Sequence, residues 1–199
     1  ERVMPRMLDE ETAEYVLDEL QTRGITVREQ NEATRFIGSD HVVGVELDTG
    51  EQLVADAYVA ATGVKPNVDY LEGSGLDIDW GVRVDKRMQT NLPNLWAAGY
   101  VAETVDRASG ERDVHAIWPY ARAQGDVAAR DILVYATDYA GAERMNSMQH
   151  LGLPIIAVGD RSGDRELRYR SASGLRKLFL NDGRIAGFRF VGDIRGAGT

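Results

Sequence analysis

The sequence predicts an α/β chain that ends in a small α+β module, and three observations carry that prediction. A helical stripe of apolar residues near the start gives way to short alternating runs of strand character. Two hydrophobic runs, residues 57–61 and 95–99, lead into Gly63 and Gly99, where a missing side chain opens the backbone to close approach. From Asn146 onward the pattern becomes one of strands and tight turns, with no further long helix.

Each element has a local reason. Asp9 is suited to cap a helix over residues 9–23, with Glu10, Glu11 and Glu14 at its positive end and Gly24 as its stop. Ala13, Val16, Leu17 and Leu20 form one stripe, so this helix is expected to lie on a sheet. Residues 25–29 read as a short strand, and 34–37, 42–47 and 52–54 as a meander with a turn at 48–50. The run 57–61 reads as a buried strand. Beyond Gly63, Pro66 fixes the backbone of a crossing segment in which Asn67 can hydrogen-bond the turn. Residues 70–76 read as a short helical or turn segment and 82–85 as a strand, after which Thr90 and Pro93 shape the turn into the strand 95–99.

A long helix is expected over residues 121–135, with Pro119 suited to a first turn and Ala121, Gly125, Ala128 and Ala129 allowing tight packing. Free amides at its start could stabilise negative charge. Strands at 153–158, 167–169, 175–180 and 184–191, with Asn181-Asp182-Gly183 as a hairpin turn, complete an antiparallel module.

Composition narrows the function classes. With 43% hydrophobic and 28% charged residues the chain can bury a real core, and a net charge of -9 argues against non-specific nucleic-acid binding and a basic membrane-surface role. No apolar run approaches membrane-spanning length. The absence of cysteine removes disulfides, thiolate metal sites and any redox dithiol. His41, His115 and His150 lack ligand spacing, so no metal site is expected.

Residues 60–67, AATGVKPN, and 90–103, TNLPNLWAAGYVAE, resemble, in this order, two signatures of the FAD/NAD(P) pyridine nucleotide-disulfide oxidoreductases. These are Rossmann-like flavoproteins with two dinucleotide-binding domains. In them an ATG segment returns the chain to the FAD domain, and a T-x-P-x-hydrophobic-A-x-G-D segment closes on the flavin. Ala121-Arg122-Ala123-Gln124-Gly125 matches the family's A-x-x-Q-G helix, and residues 178–192 are similar to the C-terminal domain of the NADH-dependent nitrite reductase and NADH-rubredoxin reductase types.

The resemblance implies residues 1–66 as the second half of an NAD(P)-binding domain, 67–143 as the C-terminal segment of an FAD-binding domain, and 144–199 as a truncated interface-like module. It implies FAD and NAD as cofactors, NADH as reductant and a protein or small molecule as electron acceptor. Cofactor contacts would fall to Thr62, Gly63, Pro66, Asn67, Ala98, Gly99, Tyr100, Trp118 and Pro119. Glu1 would accept the adenosine ribose hydroxyls and favour NADH over NADPH. The flavin accepts hydride directly, so no catalytic side chain is expected. A cytoplasmic homo-oligomer is the expected setting.

One position departs from the pattern. Tyr100 stands where the family has an aspartate that holds a ribityl hydroxyl, and a flavin-less structural or regulatory subunit retaining the fold is the alternative. The G-x-G-x-x-G turns for the two nucleotides do not occur here. The expectation is of a fragment that binds FAD and NADH weakly by itself and self-associates through open sheet edges.

Overall fold

In the computed structural model, which describes residues 2–197, Asp9 caps helix α1, Glu10–Thr22. Its carboxylate accepts the Thr12 amide at 3.4 Å and the Thr12 hydroxyl at 2.6 Å. At the other end Ile25 N donates to Leu20 O and Gly24 N to Gln21 O, with Gly24 at φ +78, which is the Schellman closure that only glycine adopts without strain. Glu1, the expected ribose contact, lies outside the described residues.

The apolar stripe of α1 does lie on a sheet, and that sheet comes from the far end of the chain. Leu8, Ala13 and Val16 pack with Leu153, Ile155, Ala157 and Val191 into one core. Full burial of each large aliphatic side chain there contributes about 1.5–3 kcal/mol. The sheet has five antiparallel strands: β7 (Met145–Met148), β8 (Ile155–Gly159), β9 (Arg165–Ser171), β10 (Gly174–Asn181) and β11 (Arg184–Gly192), in the order β7-β8-β11-β10-β9. Asn181 pairs with Arg184, leaving Asp182 and Gly183 as a two-residue turn with φ +50 and +73, the primed geometry that matches strand twist.

Two cations face this sheet's buried side. Lys177 on β10 is 4% exposed and Arg189 on β11 is 1% exposed. Lys177 Nζ reaches Asp9 at 2.6 Å, Glu166 at 2.9 Å and Glu11 at 3.2 Å, so the residue that caps α1 also ties it to the sheet. Both cations sit 5.5 Å from the ring centroid of Phe179.

Ahead of this module, β1 (Ala33–Ile37), β2 (Gly44–Leu47) and β3 (Gln52–Leu53) form the expected antiparallel meander. A second three-stranded sheet, in the order β4-β5-β6, joins β4 (Val82–Arg83) in parallel to β5 (Ala102–Val105), and β5 in antiparallel to β6 (Arg112–Asp113). Helix α2, Trp118–Ile132, begins with Pro119 in its first turn. It packs Val127 and Ala128 with Val84, Met88, Ala102, Tyr139 and Ala142 in a second core.

Three strand expectations fail. Residues 25–29 form no strand, and 95–99 is reduced to a single bridge between Gln89 and Trp96. The run 57–61, expected to be a buried strand, is extended and mostly exposed, with Val59 89% exposed. Its apolar character is real, but no strand among the described residues lies beside it to take its backbone groups, and a strand exists only as a partner in a ladder.

Candidate cofactor site

The turn at Gly99 is built from both of its flanks. Thr90 accepts the Leu92 amide at its hydroxyl and donates it to Leu95 O at 3.1 Å, closing the turn around Pro93 that delivers residues 95–99. Gly99, at φ +85, donates its amide to Gln124 Oε1 at 2.7 Å and accepts from Ala102 N at 3.0 Å. Gln124 is 1% exposed. The glutamine of the A-x-x-Q-G helix is thus the clamp that holds α2 against the glycine turn. A Cβ on Gly99 would meet only Ala121 Cβ, at 3.7 Å, so the dihedral rather than space demands glycine.

Beside this turn, Glu103 is 3% exposed and accepts the amides of Trp80 and Gly81, each at 3.1 Å. A Cβ at Gly81 would come within 2.7 Å of Val101 O and 2.8 Å of Val114 Cγ2, so here close approach is the reason for glycine. Nearby lies a buried pair. Asp106 accepts from His115 Nε2 at 3.0 Å, from the amides of Ala108 and Ser109 at 3.0 and 2.9 Å, and from the Ser109 hydroxyl at 3.1 Å. Burial is the largest influence on the Asp106 carboxyl and pushes its pKa up, but the bonds from His115, Ser109 and Ala108 together outweigh it and hold it below the ordinary 3.8. His115 packs edge-on against Tyr120, 5.8 Å between centroids, and the Tyr120 hydroxyl donates to Glu143 O at 3.0 Å.

Of these segments Trp80, Tyr100, Val114, His115 and Tyr120 line an open cavity of about 680 Å3, within the range of about 300–1,000 Å3 usual for ligand sites. Pro66 and Lys65 close one side, Trp80 and Tyr100 another, and Ile117 and Tyr120 bring in the start of α2. Arg6, Arg161 just beyond β8, and Ala157 and Arg189 from the five-stranded sheet complete it. Ile117 caps α2 with no side-chain bond, and no acidic residue occupies its first turn, so the helix's positive end is left unneutralised.

Of the residues singled out from sequence, Pro66, which is buried, and Tyr100, which is 47% exposed, line this cavity. Thr62, Gly63 and Asn67 are exposed and lie outside its wall, and Ala98 packs against the second core. Trp118 is 69% exposed and Pro119 lines a smaller groove on α2 with Arg122 and Arg130. His115, Tyr120, Arg161 and Arg189 were missed as site residues. A lone histidine, a loop arginine and a strand arginine carry no spacing signal, whereas Tyr120, one residue after Pro119, falls in the first turn of α2.

The match that decides the family covers residues 1–125, which fit the pyridine nucleotide-disulphide oxidoreductase model. The chain belongs to that family. The ε subunit of NADH-dependent phenylglyoxylate dehydrogenase from Aromatoleum evansii is 36% identical over 161 residues, 77% of this chain and 38% of that protein. Nitrite reductase [NAD(P)H] of Bacillus subtilis is 26% identical over 96% of this chain and 24% of its own length. Among solved structures, a NAD-dependent persulfide reductase from A. fulgidus superposes with a TM-score of 0.89 at 25% identity, covering 98% of this chain and 40% of that one. The chain therefore spans well under half the length of these relatives. The fold is that of the C-terminal part of an FAD/NAD(P)-binding oxidoreductase.

The residues present fit a flavin. Tyr100, next to the glycine whose amide Gln124 accepts, and Ile117 at the uncapped start of α2 both line the cavity, and free amides at a helix start suit a ring with a negative reduced form. No described helix is long and apolar enough to cross a membrane.

Proposed function

We propose that this chain is the flavin-facing part of an NADH-dependent FAD oxidoreductase that passes electrons to a protein or inorganic acceptor. The observation that carries the reading is the meeting, at one cavity, of the Pro66 segment, the Tyr100 turn and the uncapped start of α2. Bound FAD would supply hydride acceptance from NADH and electron release to the acceptor.

The chain's own residues would hold and shield that ring. Gln124 fixes the glycine turn, the first-turn amides of α2 favour negative charge, and Pro66, Trp80 and Tyr120 limit water. We assign Thr62, Gly63, Pro66, Asn67, Ala98, Gly99, Tyr100, Trp118 and Pro119 to cofactor contact on the family's pattern, and Glu1 to the preference for NADH. Residues 1–66, 67–143 and 144–199 would divide as the end of an NAD(P) domain, the end of an FAD domain and an interface-like module. A cytoplasmic homo-oligomer is the proposed setting, the exposed run around Val59 being one surface that association could cover.

Tyr100 supports a second reading, a flavin-less subunit that keeps the fold. The substitution Tyr100→Asp separates the two in the full-length polypeptide. A restored carboxylate acceptor is worth about 1.5–3 kcal/mol, so FAD should be retained roughly tenfold more tightly or better, read by equilibrium dialysis. Unchanged retention would mean that the site is gone or never depended on this contact.

A further inference from the structure

Flavin binding alone does not account for the cavity's charge. In a chain with a net charge of -9, five cations border it, Arg6, Lys65, Arg144, Arg161 and Arg189, against the carboxylates Asp113 and Glu143. Both carboxylates are engaged. Asp113 lies 3.4 Å from Arg144 and Glu143 lies 3.5 Å from Arg107, while Lys65 pairs outward with Asp69 at 3.2 Å. Arg6, Arg161 and Arg189 form no ion pair with a carboxylate among the described residues.

Arg189 is the most informative of the three. Its Nη1 donates to Val158 O and Phe188 O, each at 2.7 Å, and its Nη2 to Gly159 O at 3.1 Å, while its Nε is buried without a partner. Carbonyl oxygens satisfy N–H groups but do not cancel the charge. Burial, the largest influence, lowers its pKa to about 10, with Asp9 opposing, Arg161 assisting and Asp160 opposing, so it remains a cation at neutral pH. Uncancelled positive charge in the low-dielectric wall of a cavity raises the potential inside it.

We propose that this cavity takes a small anion of phosphate or oxyanion chemistry, seated toward Arg6 and Arg161 with Arg189 behind them. The binding of this anion does not rest on the flavoprotein reading.

The test is calorimetric titration of the chain with inorganic phosphate at fixed ionic strength, for the wild type, R161Q, R6Q and the remote control R28Q, whose arginine pairs with Glu51. The proposal expects one saturable site, weakened roughly tenfold in R161Q and several-fold in R6Q, since a charge-assisted bond is lost, and unchanged in R28Q. Arg6 and Arg161 are exposed, and R6Q keeps the test open should R161Q unfold. The absence of a saturable site, or equal affinity in wild type, R161Q and R6Q, overturns it. Competition then identifies the source. Displacement by nitrite indicates a free oxyanion; displacement by AMP but not nitrite indicates the phosphate of a larger ligand, and either upholds the site. Flavin content is measured separately, so phosphate binding in a full-length polypeptide that retains no FAD upholds the anion site and counts only against the flavoprotein reading.

Discussion

Replacing Lys177 with methionine should lower the free energy of unfolding by about 3 kcal/mol. Its ammonium pairs with Asp9, Glu11 and Glu166, of which Glu11 also pairs with Arg168, and removing one partner of a buried ion pair costs about 3–5 kcal/mol because a buried charge, here that of Asp9, is left uncompensated. The lower end applies because Glu11 and Glu166 are 30% and 41% exposed and can turn to water. The loss should also be pH-dependent in a defined sense. Burial pulls the Lys177 pKa down, but its bonds to Asp9, Glu166 and Glu11 outweigh that and leave it above 10.5, so its contribution is whole below pH 10.5 and fades as pH rises through the folded value. For Asp9, burial pushes up, while Lys177 and Thr12 outweigh it and leave the carboxyl below 3.8. That contribution is whole above about pH 4 and fades as pH falls through the folded value. Urea unfolding of wild type and K177M between pH 3 and 11 should show a flat difference in the middle that narrows at both ends. A difference under 1 kcal/mol at pH 7 would mean that α1 is not anchored to the sheet through this cluster.

Asp106→Ala carries the second large effect, a loss of about 2–4 kcal/mol. Four donors converge on this carboxylate, and the alanine leaves them without an acceptor, of which buried His115 cannot turn to solvent. The consequence reaches the cavity, because His115 packs against Tyr120 and Tyr120 holds the Glu143 backbone. Asp106→Asn keeps one acceptor oxygen and should lose roughly half as much. Thermal unfolding checks both, and equal stability for the two variants would show that acceptor capacity at this position is not what matters.

The elements legible in sequence were those whose signal is local. The Asp9 cap, the Gly24 stop, Pro119 in the first turn of α2 and the Asn181-Asp182-Gly183 hairpin all follow from dihedral preference or a neighbouring hydrogen bond, and all stand where expected. What sequence left out depends on distant partners. An alternating run such as β10 shows that one face is buried, but not that its buried face carries Lys177 opposite a carboxylate 168 residues away. The run 57–61 reads as a buried strand on composition and remains an exposed segment, because burial needs a neighbour. The glycine signatures located the Tyr100 turn, yet the Arg161 and Arg189 side of the cavity arises from the fold bringing β8 and β11 to it.

We propose that this cavity serves a flavin reduced by NADH. The most direct measurement is flavin stoichiometry of the full-length polypeptide, by absorbance after release against a matched protein concentration, followed by anaerobic addition of NADH. The expected result is one FAD per chain, bleached by NADH. Protein that is free of flavin and cannot be reconstituted with FAD would contradict it and leave the flavin-less subunit, with Tyr100 as the reason.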